Sequence, residues 1–218
     1  MQSHPNFRDE HLKVLADHPV VAVMVAEEPT QAVAACRALV AGGVGAVELA
    51  LRTPRALDCI EAVGHEVPAI LPIAGTVIEA NQVDELRRRG IAAAVAPGCN
   101  PRIARAALDA GLSFAPGICT PSDIESALEL DCTMLKYFPA EPSGGLPMLR
   151  SMAGPYRHLG LEFIPLGGLR QSHVADYLAD NLILALGGSW LAPADLVRDG
   201  ATDEIERRAA EAVGAIPR

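Results

Sequence analysis

Apolar residues form short runs that alternate with longer amphipathic stretches along almost the whole chain. The runs have the length of buried strands. They lack the strict alternation of apolar and polar residues that is typical of a sheet with one solvent-exposed face. They predict strands at Val20–Ala26, Ala46–Arg52, Ala69–Ala74, Ala92–Ala96, Ser113–Pro116, Thr133–Phe138, Glu162–Leu166 and Ile183–Leu186. Continuous apolar strands separated by helices indicate a parallel sheet covered on its outside.

The stretches between these strands carry helical spacing, for example over Thr30–Val40, Ala80–Arg89 and Arg102–Ala110. A further helix, predicted at Asn6–Asp17, precedes the first strand and would cover the bottom of the sheet. Eight such units fit an α/β fold of the closed (β/α)8 TIM-barrel type. An open doubly wound sheet is the alternative, although no GxGxxG motif follows the first strand. No linker divides the chain, so residues 1–218 are predicted to form a single barrel domain.

The composition narrows the classes of partner. The formal net charge is −9, and no basic block stands out beyond the trio Arg87–Arg89, so neither nucleic acid nor an anionic membrane is expected as a partner. No apolar stretch is long enough to span a bilayer, and the first residues lack the basic and apolar regions of a signal peptide. The five cysteines include no CxxC pair, which favours free thiols in a reducing compartment. These features predict a cytoplasmic globular protein.

Lys136 is unusual because it lies inside an apolar run in a chain that otherwise prefers arginine. Only two of the 18 Lys and Arg residues are lysines, and the other, Lys13, lies in a polar stretch. An arginine cannot lose its proton in a protein, whereas a lysine can, and its neutral amine is a nucleophile. Lys136 is therefore a candidate for amine chemistry with a carbonyl compound. A lysine stem that extends to the rim of the sheet is the alternative interpretation.

The second predicted strand carries two charges on one face, Glu48 and Arg52. Charges on an otherwise apolar strand are costly if each is buried alone. They could form an ion pair inside the barrel mouth, with no catalytic role. They could also serve chemistry, because reactive residues of a barrel lie at the C-terminal ends of its strands.

Paired glycines follow the last two predicted strands, at Gly167-Gly168 and at Gly187-Gly188, where Ser189 comes next. Without side chains, such loops let backbone N–H groups approach a ligand. In a barrel the loops after the seventh and eighth strands often bind a phosphate. The matched positions of the two pairs therefore favour a phosphate site, and the Ser189 hydroxyl could donate to the same group.

Several of these segments resemble one family, the 2-keto-3-deoxy-6-phosphogluconate aldolases, which are Schiff-base aldolases of the Entner–Doudoroff pathway. The resemblance extends from Val20 to about Val213. Its most specific carriers are Leu135–Glu141 (LKYFPAE) and Gly187–Leu191 (GGSWL). Others are Ala41–Val44, Val47–Thr53, Ala74–Val77, Pro97-Gly98 and Pro116–Ile118.

The resemblance implies a lyase of the class I type that cleaves 2-dehydro-3-deoxy-6-phosphogluconate into pyruvate and glyceraldehyde 3-phosphate. Lys136 would form the Schiff base, and Glu48 would be the acid and base. Arg52 and Thr76 would bind the substrate carboxylate. The phosphate would be bound by Gly167, Gly168, Gly188 and Ser189, and the pocket wall would be shaped by Pro97, Phe138 and Leu166. The family also implies a homotrimer.

The chemistry of a 2-keto acid agrees with these residue types. A neutral Lys136 amine attacks the carbonyl and loses water, and the resulting iminium accepts the electrons of the breaking C3–C4 bond. Glu48 removes the C4 hydroxyl proton and later protonates C3. This scheme requires no metal or organic cofactor, and no two histidines have metal-ligand spacing on a helix.

Two residues depart from the family's pattern. Leu166 stands before Gly167 where these aldolases usually have a threonine, which removes a hydroxyl that could read the configuration of the substrate. A related family, the 2-keto-3-deoxy-6-phosphogalactonate aldolases, tends to have an apolar residue there. Ile73 stands where the family commonly has glycine, and it could narrow the pocket floor or fill the core.

Other functions remain open from the sequence. The same Lys136 and Glu48 could act on 4-hydroxy-2-oxoglutarate or on the galactonate epimer. A phosphosugar decarboxylase or isomerase barrel would share the phosphate loops, but decarboxylases of that type need Asp-x-Lys-x-x-Asp, and here Met134 and Pro139 occupy the acidic positions. A non-enzymatic barrel that binds a phosphorylated metabolite is the remaining alternative, although it would tolerate arginine at position 136.

Overall fold

The computed structural model describes residues 2–217, in which strands alternate with helices. The strands are β1 (Val20–Met24), β2 (Ala46–Ala50), β3 (Leu71–Gly75), β4 (Ala93–Val95), β5 (Ser113–Ala115), β6 (Gly117–Ile118), β7 (Met134–Tyr137), β8 (Glu162–Pro165) and β9 (Leu186–Gly188). The α-helices are α1 (Asp9–Asp17), α2 (Pro29–Ala41), α3 (Ala56–Glu66), α4 (Ala80–Arg88), α5 (Pro101–Asp109), α6 (Pro121–Leu128), α7 (Gly145–Ala153), α8 (Val174–Leu178), α9 (Ala194–Arg198) and α10 (Thr202–Gly214). None of the helices within this range is long and apolar enough to cross a bilayer.

The strands pair in parallel and form two sheets. Six strands lie in the order β5-β4-β3-β2-β1-β9, and three lie in the order β6-β7-β8. Isolated parallel bridges, Phe163 with Ile183 and Leu166 with Gly187, connect the end of the smaller sheet to the larger one. The architecture is therefore an α/β fold with a curled parallel sheet, as the alternation of apolar runs and helices predicts.

The fifth predicted strand stops one residue early, before Pro116. It ends at Ala115, and the chain resumes as β6 at Gly117, which pairs with Lys136 of β7. A proline has no N–H to donate to a ladder, so strands commonly end or change partner there. The prediction at Ser113–Pro116 therefore matches β5 alone, and β6, which belongs to the other sheet, was not predicted.

The eighth predicted strand lies later in the chain than expected. Residues Ile183–Leu186 were expected to pair, but β9 covers Leu186–Gly188, and its glycines pair with β1. A Cβ built on Gly187 would lie 2.2 Å from the Val21 carbonyl oxygen. The expectation that both glycines belong to a loop is therefore wrong, because the close approach of β1 requires a glycine inside the strand.

The N-terminal helix begins at Asp9 rather than at Asn6, because Asn6 is bound by the strands above it. Its amide nitrogen donates to the carbonyl oxygens of Phe114 and Met134, each at 2.8 Å. Its amide oxygen accepts from the backbone N–H groups of Thr133 (3.0 Å) and Met134 (3.1 Å). Residues that precede α1 thus tie β5 to β7 at the N-terminal end of the strands.

Two apolar clusters form the core. One lies between the sheet and the surrounding helices, and the other lies inside the curl, where α1 closes it from below with Leu12 and Leu15. Ile73 is only 2% exposed and belongs to the inner cluster. Of the two roles considered for Ile73, the structure therefore supports filling of the core.

Candidate active site

Lys136 and Glu48 form a buried pair across the interior of the fold. Each residue is 4% exposed, and the Lys136 Nζ atom lies 2.9 Å from both carboxylate oxygens of Glu48. The ring centroid of Phe138 is 5.2 Å from the same nitrogen. Since β2 and β7 belong to different sheets, this contact exists only because the sheets curve toward a common interior.

Gly75, the last residue of β3, leaves the space that the Glu48 carboxylate occupies. It pairs with Ala50 in the ladder of β2 and β3, and a Cβ built on it would lie 2.3 Å from Glu48 Oε1. Any side chain here would displace the carboxylate from the amine. The sequence showed this glycine only as part of the Ala74–Val77 segment, because the clash depends on the tertiary arrangement.

Arg52 does not form the ion pair with Glu48 that the second strand's charge pattern allowed. Among residues 2–217, the carboxylate of Glu48 bonds to Lys136, and the Arg52 guanidinium makes no hydrogen bond or ion pair. Arg52 follows the end of β2 and lines the cavity with an exposed side chain. Its donors are therefore available to a ligand.

Thr76 has a strained backbone at the same end of the sheet. It directly follows β3, and its φ of 61° lies in the left-handed region. A β-branched residue rarely adopts this conformation, and such strain is found preferentially at functional sites. The conformation places the Thr76 side chain on the cavity wall.

A cavity of about 480 Å³ opens at the C-terminal ends of the strands. All of the site residues predicted from the sequence line it: Glu48, Arg52, Thr76, Pro97, Lys136, Phe138, Leu166, Gly167, Gly168, Gly188 and Ser189. Its volume lies within the range of small-molecule sites. The parallel strands bring these residues together because their carboxyl ends meet at one edge.

The glycine-rich side of the cavity is built without side chains. Gly167 and Gly168 have φ values of 97° and 80°, which glycine adopts at no steric cost. A Cβ on Gly167 would lie 3.0 Å from the Phe138 ring, and one on Gly188 would lie 2.6 Å from the Trp190 ring. The Gly168 N–H has no acceptor among the residues described, which leaves a donor for an anion.

The sequence reasoning missed five residues of the cavity wall: Val23, Leu169, Arg170, Trp190 and Pro193. The indole N–H of Trp190 is buried and finds no partner within residues 2–217. Arg170 stood two residues beyond a glycine pair already singled out, so its position was a signal that could have been used. Trp190 belongs to the Gly187–Leu191 segment and had the same kind of signal. Val23, Leu169 and Pro193 are wall positions that only the tertiary structure identifies.

The arrangement combines a buried amine, a carboxylate within hydrogen-bonding distance, a guanidinium without a partner among residues 2–217, and a glycine-lined end. It is suited to covalent catalysis on a carbonyl compound with anionic ends. Within the described part of the chain, no group of three or more His, Cys, Asp or Glu side chains is placed to hold a metal ion.

Comparison with known proteins identifies relatives along nearly the whole chain. The family model for the KDPG and KHG aldolases matches residues 12–208. The KHG/KDPG aldolase of Escherichia coli (strain K12) is 38% identical over 208 residues, which cover 95% of this chain and 97% of the relative.

Solved structures agree with the sequence comparison. The 2-keto-3-deoxy-6-phosphogluconate aldolase of Zymomonas mobilis ZM4, crystallised with 3-phosphoglycerate, superposes with a TM-score of 0.85 at 34% identity, over 97% of this chain and 100% of that one. The KDPG aldolase of Legionella pneumophila, with pyruvate captured as a covalent carbinolamine intermediate, gives a TM-score of 0.86 at 28% identity, over 96% and 98% of the two chains. The chain therefore belongs to the KDPG and KHG aldolase family.

Proposed function

We propose that this protein is a class I aldolase, a lyase that cleaves 2-dehydro-3-deoxy-6-phosphogluconate to pyruvate and glyceraldehyde 3-phosphate. The observation that carries the proposal is the buried contact of 2.9 Å between Lys136 Nζ and both oxygens of Glu48, at the base of a cavity of substrate size. The carbinolamine trapped in the Legionella relative supports the same covalent route.

In the first half of the reaction, Lys136 forms the covalent link. Glu48 accepts a proton from the amine across their hydrogen bond, and the free electron pair of Nζ adds to the C2 carbonyl carbon of the substrate. The carbonyl oxygen receives one proton from the attached nitrogen, which makes it a hydroxyl, and a second proton that Glu48 returns, and it then leaves as water. The product is an iminium between Nζ and C2.

In the second half, the iminium acts as an electron sink. Glu48, again a carboxylate, removes the C4 hydroxyl proton, and the C4–O bond becomes a carbonyl as the C3–C4 bond breaks. The electron pair of that bond moves into the C2–C3 bond to give an enamine, and glyceraldehyde 3-phosphate leaves. Glu48 then protonates C3, and water releases pyruvate from Lys136.

The two ends of the substrate would be bound by different chemistry. Arg52 and Thr76 lie near the second- and third-strand ends, and Arg52 has the forked donors that a carboxylate binds in bidentate fashion. Gly167, Gly168, Gly188 and Ser189 would bind the phosphate with backbone N–H groups and one hydroxyl. Pro97, Phe138 and Leu166 supply the apolar wall between the two ends.

Borohydride trapping with pyruvate tests the proposal. Reduction should add the mass of a reduced pyruvate to the peptide that contains Lys136, and Lys136→Arg should abolish both trapping and cleavage. Lys13→Arg is the matched control, because Lys13 is the other lysine and is exposed beside Asp17. A Lys136→Arg variant with normal turnover would falsify the mechanism.

One observation favours additional substrates. Leu166 is 3% exposed and offers the cavity wall no hydrogen-bonding group. A site without such a group discriminates weakly between hydroxyl epimers. We therefore propose 2-dehydro-3-deoxy-6-phosphogalactonate and 4-hydroxy-2-oxoglutarate as secondary substrates that use the same Lys136 and Glu48.

We further propose that the strands close into a complete (β/α)8 barrel and that residues 1–218 form one domain. The bridges of Phe163 with Ile183 and of Leu166 with Gly187 support closure on one side. On the other side β5 and β6 are separated only by Pro116. A barrel of eight strand positions follows when these two short strands count as one.

The assembly and location are proposals as well. The resemblance to the aldolase family favours a homotrimer, which light scattering coupled to gel filtration would measure. The five cysteines are free thiols, which favours the cytoplasm. The net charge of −9 makes nucleic acid and anionic membranes poor partners.

A further inference from the structure

Arg170 lines the glycine-rich side of the cavity. It follows the loop of Gly167 and Gly168 after one intervening residue, and its side chain is exposed. Within residues 2–217 its guanidinium makes no ion pair and no hydrogen bond to another side chain or carbonyl, whereas Arg150 and Arg207 on the surface pair with carboxylates. Arg52, at the other end of the cavity, is the second lining arginine without a partner.

Local structure does not explain an arginine at this position. Residue 170 is the N-cap of the one-turn 3-10 helix Gln171–His173, where Ser, Thr, Asp and Asn are preferred because their side chains accept hydrogen bonds. An arginine has no acceptor. The backbone is instead held by the Arg170 N–H, which donates to His173 Nδ1 at 3.2 Å, a bond that any residue except proline would make.

The acidic residue packed against the loop is already engaged. A Cβ on Gly168 would lie 2.8 Å from Glu141 Cβ, so Glu141 borders the loop. Its carboxylate accepts a hydrogen bond from the Tyr177 hydroxyl, and burial together with Glu141 raises the pKa of Tyr177, which keeps that donor protonated. The other oxygen of Glu141 lies 3.7 Å from His173 Nε2. Arg170 therefore keeps its donors for a ligand.

We propose that Arg170 is a specificity-determining residue that binds the substrate phosphate through its guanidinium, alongside the backbone donors of the glycine loops. The inference rests on the proposed aldolase function and deepens it. The planar fork of an arginine fits two phosphate oxygens. The second carboxylate of 4-hydroxy-2-oxoglutarate is attached directly to C4, whereas the phosphate of the sugar acid follows two carbons further on, so Arg170 distinguishes the longer, phosphorylated substrate from the shorter one.

The test compares two substrates in one variant. Arg170→Gln should lower kcat/KM for 2-dehydro-3-deoxy-6-phosphogluconate about tenfold, mostly through KM, as expected for one charge-assisted hydrogen bond at an exposed site. The value of kcat/KM for 4-hydroxy-2-oxoglutarate should change less than about twofold. Arg170→Lys keeps the charge without the fork and should recover part of the loss. Arg157→Gln is the matched control, since Arg157 is also exposed and unpaired within the described chain but lies outside the cavity.

The outcomes separate this inference from the function on which it rests. Equal losses of kcat/KM on both substrates would indicate a structural role for Arg170. Wild-type kcat/KM values on both substrates would remove Arg170 from the phosphate site. Either result overturns the inference while wild-type trapping and cleavage stand. Absence of pyruvate trapping in the wild-type protein would instead contradict the aldolase function. Thermal melting of each variant checks that the fold is kept.

Discussion

The two ends of the curled sheet both pair buried polar side chains within the protein. The C-terminal end also lines a cavity with donors that have no protein partner among residues 2–217: the Arg52 guanidinium, the Gly168 N–H and the Trp190 indole N–H. At the N-terminal end, Asn6 makes four hydrogen bonds to backbone groups. His4 contacts Thr133 Oγ1 at 2.8 Å and Glu162 Oε2 at 2.5 Å. At the C-terminal end, Lys136 Nζ lies 2.9 Å from both carboxylate oxygens of Glu48.

The difference distinguishes residues that hold the fold together from residues that are available to a ligand. Buried polar groups in native proteins are nearly always paired, so the complete pairing of Asn6 and His4 indicates a structural role. At the other end, the Arg52 guanidinium and the Gly168 N–H line the cavity without an acceptor among residues 2–217, so these donors are available to a ligand. Substitutions at the two ends should therefore affect different quantities.

The largest effect should follow from Glu48→Gln. The amide keeps the size of the side chain and a hydrogen bond to Lys136 but cannot accept a proton, so kcat/KM should fall about a thousandfold, the usual contribution of a general base. Glu162→Gln is the matched control at the opposite end, where the partner is His4, and its kcat/KM should stay near the wild-type value. Steady-state kinetics of the two variants would contradict the comparison if both lost activity equally.

Asn6→Ala should have a smaller effect, and it should lower the stability of the fold without changing activity. Loss of the side chain leaves backbone groups of Phe114 and Met134 without their partner, so the free energy of unfolding should fall by roughly 3 kcal/mol. Urea denaturation measures this change, and kcat/KM at 25 °C should remain the same. Asn181→Ala, at an exposed position, should change stability by less than about 0.5 kcal/mol. Equal stability of the two variants would show that the buried amide does not tie the strands together.

The smallest effect should come from Leu166→Thr, which adds a hydroxyl to the cavity wall. The ratio of kcat/KM for the gluconate substrate over its galactonate epimer should rise a few-fold, about 1 kcal/mol of discrimination. Competition between the two epimers measures the ratio directly. An unchanged ratio would show that residue 166 does not read the C4 hydroxyl.

Local patterns in the sequence were sufficient for much of the fold. Helices α2, α4 and α5 lie within one residue of the predicted bounds, because their apolar spacing is a local signal, as are the prolines that begin α2 and α5. The predictions were less accurate where long-range contacts decide the backbone. Gly187 and Gly188 resemble a loop but are held as a strand by β1, and Asn6 continues a helical pattern but is bound by β5 and β7.

The sequence by itself determined which residues are candidates for the chemistry: an isolated lysine in an apolar run and a glutamate and arginine on one face are visible without coordinates. Only the tertiary structure decided that Glu48 is the partner of Lys136 and not of Arg52, since 88 residues separate the pair. It also identified Gly75 as the space for the carboxylate and Arg170 as part of the cavity. The physical reason is that residue type and periodicity are local properties, whereas the distance between two side chains depends on how the whole sheet curves.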